Sequence, residues 1–348
     1  MRAFHKSAVV VGAAVALLLA SSGNKPGLLA QEGASRPGLA WPSPPAPAAI
    51  RFLSVLPRPG GESGNGSLFR SLGRVVSSKP AERMVRPLGV AAHQGLVYVA
   101  DPGSHALLIY DIERNSVHRI AKAGNDALES PVGVAIGGEN VYLADSSLKK
   151  VSVYDRHGRF LRTFTDEAFA RPTGLAFNEK LGRLYVADTA AHQVLVFNAN
   201  GKLERRVGQR GTAAGEFNYP AHLWSGADDS LLVVDSLNYR VQVLSNQGNV
   251  ESLFGRLGDT SGEFASPKGI AADSQGHVYV VDSLFGCIQI FNRKGELLLT
   301  FGENGTGPGQ FWLPAGIFID DKDRIYVADS YNQRVQVFEF LGEPGEER

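Results

Sequence analysis

The chain has 348 residues, 43% of them hydrophobic, enough to bury a large core without a metal or disulfide staple. Lysine plus arginine and aspartate plus glutamate both number 35, so the formal charge is zero, which speaks against the basic footprint of a nucleic-acid binder. Cys287 is the single cysteine, which excludes an intrachain disulfide, and 40 glycines against two methionines favour turns and strands over helices.

The N-terminus reads as a targeting signal. Arg2 and Lys6 precede an apolar run from Ala8 to Ala20, and Ala20-Ser21-Ser22 offers a small-x-small cleavage pattern. The expectation is a signal peptide over residues 1–22, with a retained N-terminal anchor as the alternative, and hence a periplasmic or secreted protein. Membrane contact would run only through this segment. Residues 23–49, which contain "WPSPPAPAA", read as an extended, semi-rigid spacer. "IRFLSVL", Ile50 to Leu56, follows as a strand with no repeat of its own.

Six segments then align: "VYVADPGSHALLIYD", "VYLADSSLKKVSVYD", "LYVADTAAHQVLVFN", "LLVVDSLNYRVQVLS", "VYVVDSLFGCIQIFN" and "IYVADSYNQRVQVFE". Their aspartates, Asp101, Asp145, Asp188, Asp235, Asp282 and Asp329, are spaced by 44, 43, 47, 47 and 47 residues. Pro87, Pro131, Pro172, Pro220, Pro267 and Pro314 keep step with them. Within a unit, β-branched runs alternate with turn residues: "GIAAD", "HVYVVD", "CIQIFN" and "LLLTFG" in the fifth. Four short antiparallel strands per period of about 40 to 50 residues describe a propeller blade. The fold class is therefore all-β, a six-bladed β-propeller over residues 50–342, with a charged tail at 343–348. The last repeat lacks its outermost strand, so Ile50 to Leu56 is expected to complete blade six and close the ring.

The recurring "FGxxGxxxGxF…PxGI…YVxDSxNxRVQVF" resembles the NHL repeat of six-bladed propellers. It stands here as "FGRLGDTSGEFASPKGIAADSQGHVYVVDS" and "FGENGTGPGQFWLPAGIFIDDKDRIYVADSYNQRVQVF". The resemblance covers residues 84–340, is strong in repeats four to six, and implies a binding or scaffolding module. Repeats one to three lack the Asn and Arg, as in "DPGSHAL" and "DSSLKKV". The absence of a Trp-Asp dipeptide speaks against a WD-type ring.

The repeat aspartates read as scaffold, since a carboxylate at a strand end accepts backbone N–H bonds and fixes the turn. Arg240 and Arg334 are expected to pair with Asp235 and Asp329, and Phe217, Phe264 and Phe311 to pack between blades. A site should lie where the rule breaks. Five repeats carry Gly89, Gly133, Gly174, Gly269 and Gly316 after "Pro-x", whereas "NYPAHLW" carries His222. The variable residues four past each aspartate include His105, Lys149, His192 and Tyr239. With His222, Lys268, Phe285, Trp312 and Tyr331 they form the candidate ligand-binding face, for a protein or small-molecule partner.

His105, His192 and His222 invite a zinc reading. Related amidating lyases use channel histidines on several blades, and lactonase-like propellers use acids and amides for calcium; five glycines occupy the equivalent positions here. The expectation is thus no cofactor, zinc or calcium being the alternative that goes with a metal-dependent lyase or lactonase-like hydrolase. Cys287, opening "CIQIF", reads as a packed small hydrophobe. The reading is an exported monomer that binds no nucleic acid and more plausibly binds than catalyses.

Overall fold

In the computed structural model the described residues are 38–43, 46–57, 83–167 and 169–342, all within one compact unit, Gly38–Arg348. Residues 1–22, expected to be a signal peptide, and residues 343–348 lie outside them.

Strand formation follows from burial on both faces. In blade five, Val278–Asp282 and Cys287–Phe291 are buried at every residue, because neighbouring blades cover both sides of a radial sheet. The outer strand Leu297–Phe301 alternates, with Leu298 in solvent and Phe301 in the core. Positive φ at Gly286 (63°) and Gly295 (80°) closes the two turns between them. Blades one to five are four-stranded antiparallel meanders, blade one from Gly89–His93 outward to Ser116–Ile120, and blade six is built from both ends of the described chain. Six apolar clusters form the core, made chiefly between facing blades, and Phe217, Phe264 and Phe311 sit fully buried in three of them.

The ring closes as a composite sheet. Ile50–Leu56 runs antiparallel to Arg334–Phe340, from Ile50 opposite Phe340 to Leu56 opposite Val335, and Arg51 pairs with Glu339. The spacer expected over residues 23–49 is shorter than its composition implies. Ala40–Trp41 adds a fifth strand against Ile50–Arg51, and the Trp41 ring lies 5.7 Å from Phe301 and 5.8 Å from Phe338. Burial of that indole outweighs the extended preference of the surrounding prolines, so the folded unit begins near residue 38.

Around the axis the blades touch through backbone. A Cβ on Gly133 would stand 1.9 Å from the Thr173 carbonyl oxygen of blade three, and one on Gly316 2.3 Å from that of Leu88 in blade one. Gly89, Gly174 and Gly269 meet the next blade the same way. Side-chain ties reinforce these contacts. Ser146, Thr189, Ser236 and Ser330, each following its repeat aspartate, donate hydroxyl protons to the Pro172, Pro220, Pro267 and Pro87 carbonyls at 2.6–3.0 Å. Lower on the innermost strands, Trp224 of blade four and Phe318 of blade six meet edge-on at 5.4 Å. Those blades are not neighbours, so the two rings span the axial space. The other four blades have Ala91, Ala135, Ala176 and Ala271 at that position.

Candidate functional site at the channel mouth

The mouth is shaped by the repeat aspartates, which act as turn anchors. Asp101 accepts the Val85, Arg86 and Ser104 N–H groups at 2.6–3.1 Å. Asp145, Asp188 and Asp282 do the same with the segments before their own prolines. In blades four and six the motif draws side chains onto the same oxygen. Asp329 Oδ2 accepts from Asn332 (2.9 Å), Arg334 Nε (2.7 Å) and Gln336 (3.1 Å), while Oδ1 takes the Trp312 N–H (2.8 Å). Asp235 gathers Asn238, Arg240 and Gln242 equivalently. This explains the Asp, Asn, Arg and Gln of the repeat as one buried polar network.

A cavity of about 450 Å³ opens at this end of the ring, with His222, Lys268 and Tyr331 in its wall. Arg171, Tyr219 and Leu237 join them; the first two precede a repeat proline, a position the sequence reading did not scan. The inner strand bulges here: Pro220 faces Asp235 and Leu223 faces Val233, leaving Ala221 and His222 opposite one residue. Where five glycines let carbonyls approach, the imidazole occupies the gap between blades four and five. Its Nδ1 accepts the Ile270 N–H at 3.4 Å, so the neutral ring carries its proton on Nε2. Nε2 has no partner among the described residues.

Burial pushes the His222 pKa down from 6.5 to about 4, against the small opposing effect of the Ile270 hydrogen bond. Between those values the unfolded chain binds a proton that the folded state refuses, so stability falls as pH is lowered from 6.5 towards 4. Replacing His222 by Gln keeps an acceptor for Ile270 and removes the titration. Wild type should lose about 2 kcal/mol more than His222→Gln between pH 7 and 4.5, measured by chemical denaturation. Equal losses would place the imidazole in water.

Burial and the nearby Arg171 cation hold the Lys268 ammonium below its ordinary pKa, opposed by Asp282. Among the described residues no aspartate or glutamate lines the cavity. Beside it, Trp312 and Tyr331, each 52% exposed, lie 5.7 Å apart, and the Tyr331 N–H donates to the Trp312 carbonyl (3.1 Å).

The remaining candidates lie elsewhere. His105, exposed, donates from Nδ1 to the Glu129 carbonyl and lines a separate hollow with Arg86, Tyr331 and Gln333. His192 is buried; its Nδ1 accepts the Tyr219 N–H at 3.2 Å and its ring stands edge-on to Tyr219, so it supports a wall residue. Lys149 is exposed, Tyr239 packs against the core between blades four and five, and Phe285 is half-buried over its own turn. The positions four past the aspartates share a left-handed backbone, φ from 52° at His105 to 63° at Gly286. Their common constraint is on the turn and leaves the side chain free to vary. His105, His192 and His222 do not converge, and among the described residues no three His, Cys, Asp or Glu side chains could hold one ion. Cys287 is buried and its thiol pKa is raised to about 12 by burial and by Asp282, so it is protonated and unreactive at neutral pH.

The NHL repeat family profile matches residues 169–197, 264–291 and 311–338, spanning parts of blades three, five and six. The chain is an NHL-repeat six-bladed propeller. Residues 83–161 of the NHL propeller also match the major royal jelly protein family. Protein brain tumor of Drosophila melanogaster is 26% identical over 132 residues, 36% of this chain and 13% of that protein's length. Among solved structures, virginiamycin B lyase from Staphylococcus aureus superposes with a TM-score of 0.55 at 14% identity, over 74% of this chain and 96% of that one. An auxiliary nutrient binding protein from Bacteroides thetaiotaomicron does so with a TM-score of 0.58 at 12% identity, over 75% and 70%. These likenesses establish the fold.

Proposed function

We propose that the NHL propeller is an exported, monomeric binding module whose channel-mouth face receives a protein segment or a small ligand. The observation that carries this reading is the cavity at the mouth, bordered by apolar side chains in one half of the ring. Leu237, Leu284 and Tyr331, two past the aspartates of blades four to six, are 48%, 59% and 52% exposed. Gly103, Ser147 and Ala190 stand there in blades one to three. Exposed large apolar groups gathered on one face are what a docking surface requires. Export rests on the basic, apolar and small-residue order of residues 1–22. A binding role also accords with the nutrient binding protein of the same fold. The lyase alternative needs a reactive group or ion at the mouth, and the donors there are cations and hydroxyls.

Thermal-shift screening of small molecules and short peptides tests the reading. Stabilising hits should be lost in Lys268→Ala and kept in Lys322→Ala, an exposed lysine in a turn at the opposite end of blade six. Hits indifferent to Lys268 would move the function off this face.

A further inference from the structure

The mouth pairs an excess of unsatisfied donors with an apolar border, and this complementarity narrows the ligand. Its charged wall residues, Arg171 of blade three and Lys268 of blade five, have no ion-pair or side-chain hydrogen-bond partner among the described residues. Between them, in blade four, stands His222 with its Nε2–H unpartnered. Three donors from consecutive blades thus line one cavity that, among the described residues, no aspartate or glutamate lines, in a protein whose formal charge is zero. Lys268 feels the Asp282 carboxylate behind the wall and, more weakly, the Arg171 cation across the cavity. An anion between Arg171 and Lys268 would relieve the repulsion between them.

The hydroxyls limit which anion fits. Ser146, Thr189, Ser236 and Ser330 line the cavity and each already donates its proton to a prolyl carbonyl of the next blade, whereas the Ser283 hydroxyl beside them makes no such bond among the described residues. Inorganic phosphate would engage the charged donors but leave the apolar wall uncovered. A carboxylate is matched by one guanidinium fork, one ammonium and one imidazole N–H. Around them Tyr219, Leu237 and Tyr331 offer apolar wall, extended outward by Trp312.

We infer that the mouth binds a carboxylate carried on an apolar or aromatic body, with Arg171, Lys268 and His222 Nε2–H on the carboxylate and the Tyr219–Leu237–Tyr331 side on the body. This deepens the binding reading above and depends on it. The carboxylate belongs equally to a small aryl or alkyl acid or to the C-terminus of an apolar peptide.

Calorimetric titration of the full-length protein separates the cases. The probes are N-acetyl-Phe-Phe as free acid, its C-terminal amide, 2-naphthoate, inorganic phosphate and a single-stranded oligonucleotide. The free acid should bind, the amide should bind about tenfold or more weakly, and Arg171→Ala and Lys268→Ala should each weaken the acid about tenfold. Lys322→Ala should leave it unchanged. Preference for the dipeptide acid over 2-naphthoate assigns the site to a peptide terminus; the reverse assigns it to a small acid, and both outcomes support the carboxylate. Equal affinity for acid and amide, with loss in Tyr331→Ala, would overturn the carboxylate site and leave the binding reading standing. Tighter binding of phosphate or the oligonucleotide, or no binding of either carboxylate, would overturn it too.

Discussion

Deleting residues 1–56 is expected to abolish cooperative folding of the propeller. The segment supplies both outer strands of blade six, through the ladder from Ile50–Phe340 to Leu56–Val335 and the Ala40–Trp41 strand beyond it. Ile50 and Leu56 are buried, Trp41 and Phe52 partly so, and Trp41, Ile50 and Phe52 pack on the same cluster as Phe301 and Phe338. Four such side chains are worth about 1.5–3 kcal/mol each, a sum comparable to the roughly 5–15 kcal/mol that stabilises a whole domain. The deletion also bares the Arg334–Phe340 edge, seven residues long and largely apolar. The truncated chain should aggregate or melt in a broad transition. A single sharp transition at the wild-type midpoint, followed by near-ultraviolet circular dichroism, would show that the ring does not depend on its closing strands.

The second large effect is expected from one carboxylate. Asp329→Ala removes the acceptor for Asn332, Arg334, Gln336 and the Trp312 N–H together, leaving a mostly buried guanidinium without its counter-ion. Breaking a buried pair by deleting one partner costs about 3–5 kcal/mol. For a domain of this size that corresponds to a fall in Tm of roughly 10 °C. Asp145→Ala, whose carboxylate takes backbone N–H groups with no arginine, should cost less, about 1–3 kcal/mol. Calorimetry of the two variants ranks them; equal destabilisation would mean that the Arg334 network adds nothing to the turn.

The ring was legible because its cause is periodic. Aspartate, proline and phenylalanine recur in phase since each blade repeats the same turn and the same contact with its neighbour. The closing strand was legible for a related reason, as one repeat lacked a strand and one strand lacked a repeat. The packing of Trp41 was hidden, because its partners Phe301 and Phe338 stand in the last two blades and its neighbours in sequence are prolines. At the mouth, His222 announced itself by replacing glycine. Arg171 and Tyr219 did not, because the residue before each proline follows no pattern that a substitution could break. His105, Lys149 and Tyr239 were singled out on a different signal. Their variety suggested recognition, whereas the left-handed turn they share constrains the backbone alone.

Three tryptophans stand at the three places on which the account rests: Trp41 in the closing strands, Trp224 across the axis and Trp312 at the rim of the mouth. Fluorine NMR of the 5-fluorotryptophan protein therefore locates a bound ligand directly. Adding a ligand found by the stabilisation screen should move the Trp312 resonance, then Trp224, two residues past His222 on the same strand, and leave Trp41 in place. A shift at Trp41 with Trp312 and Trp224 unmoved would contradict the assignment of function to the channel mouth.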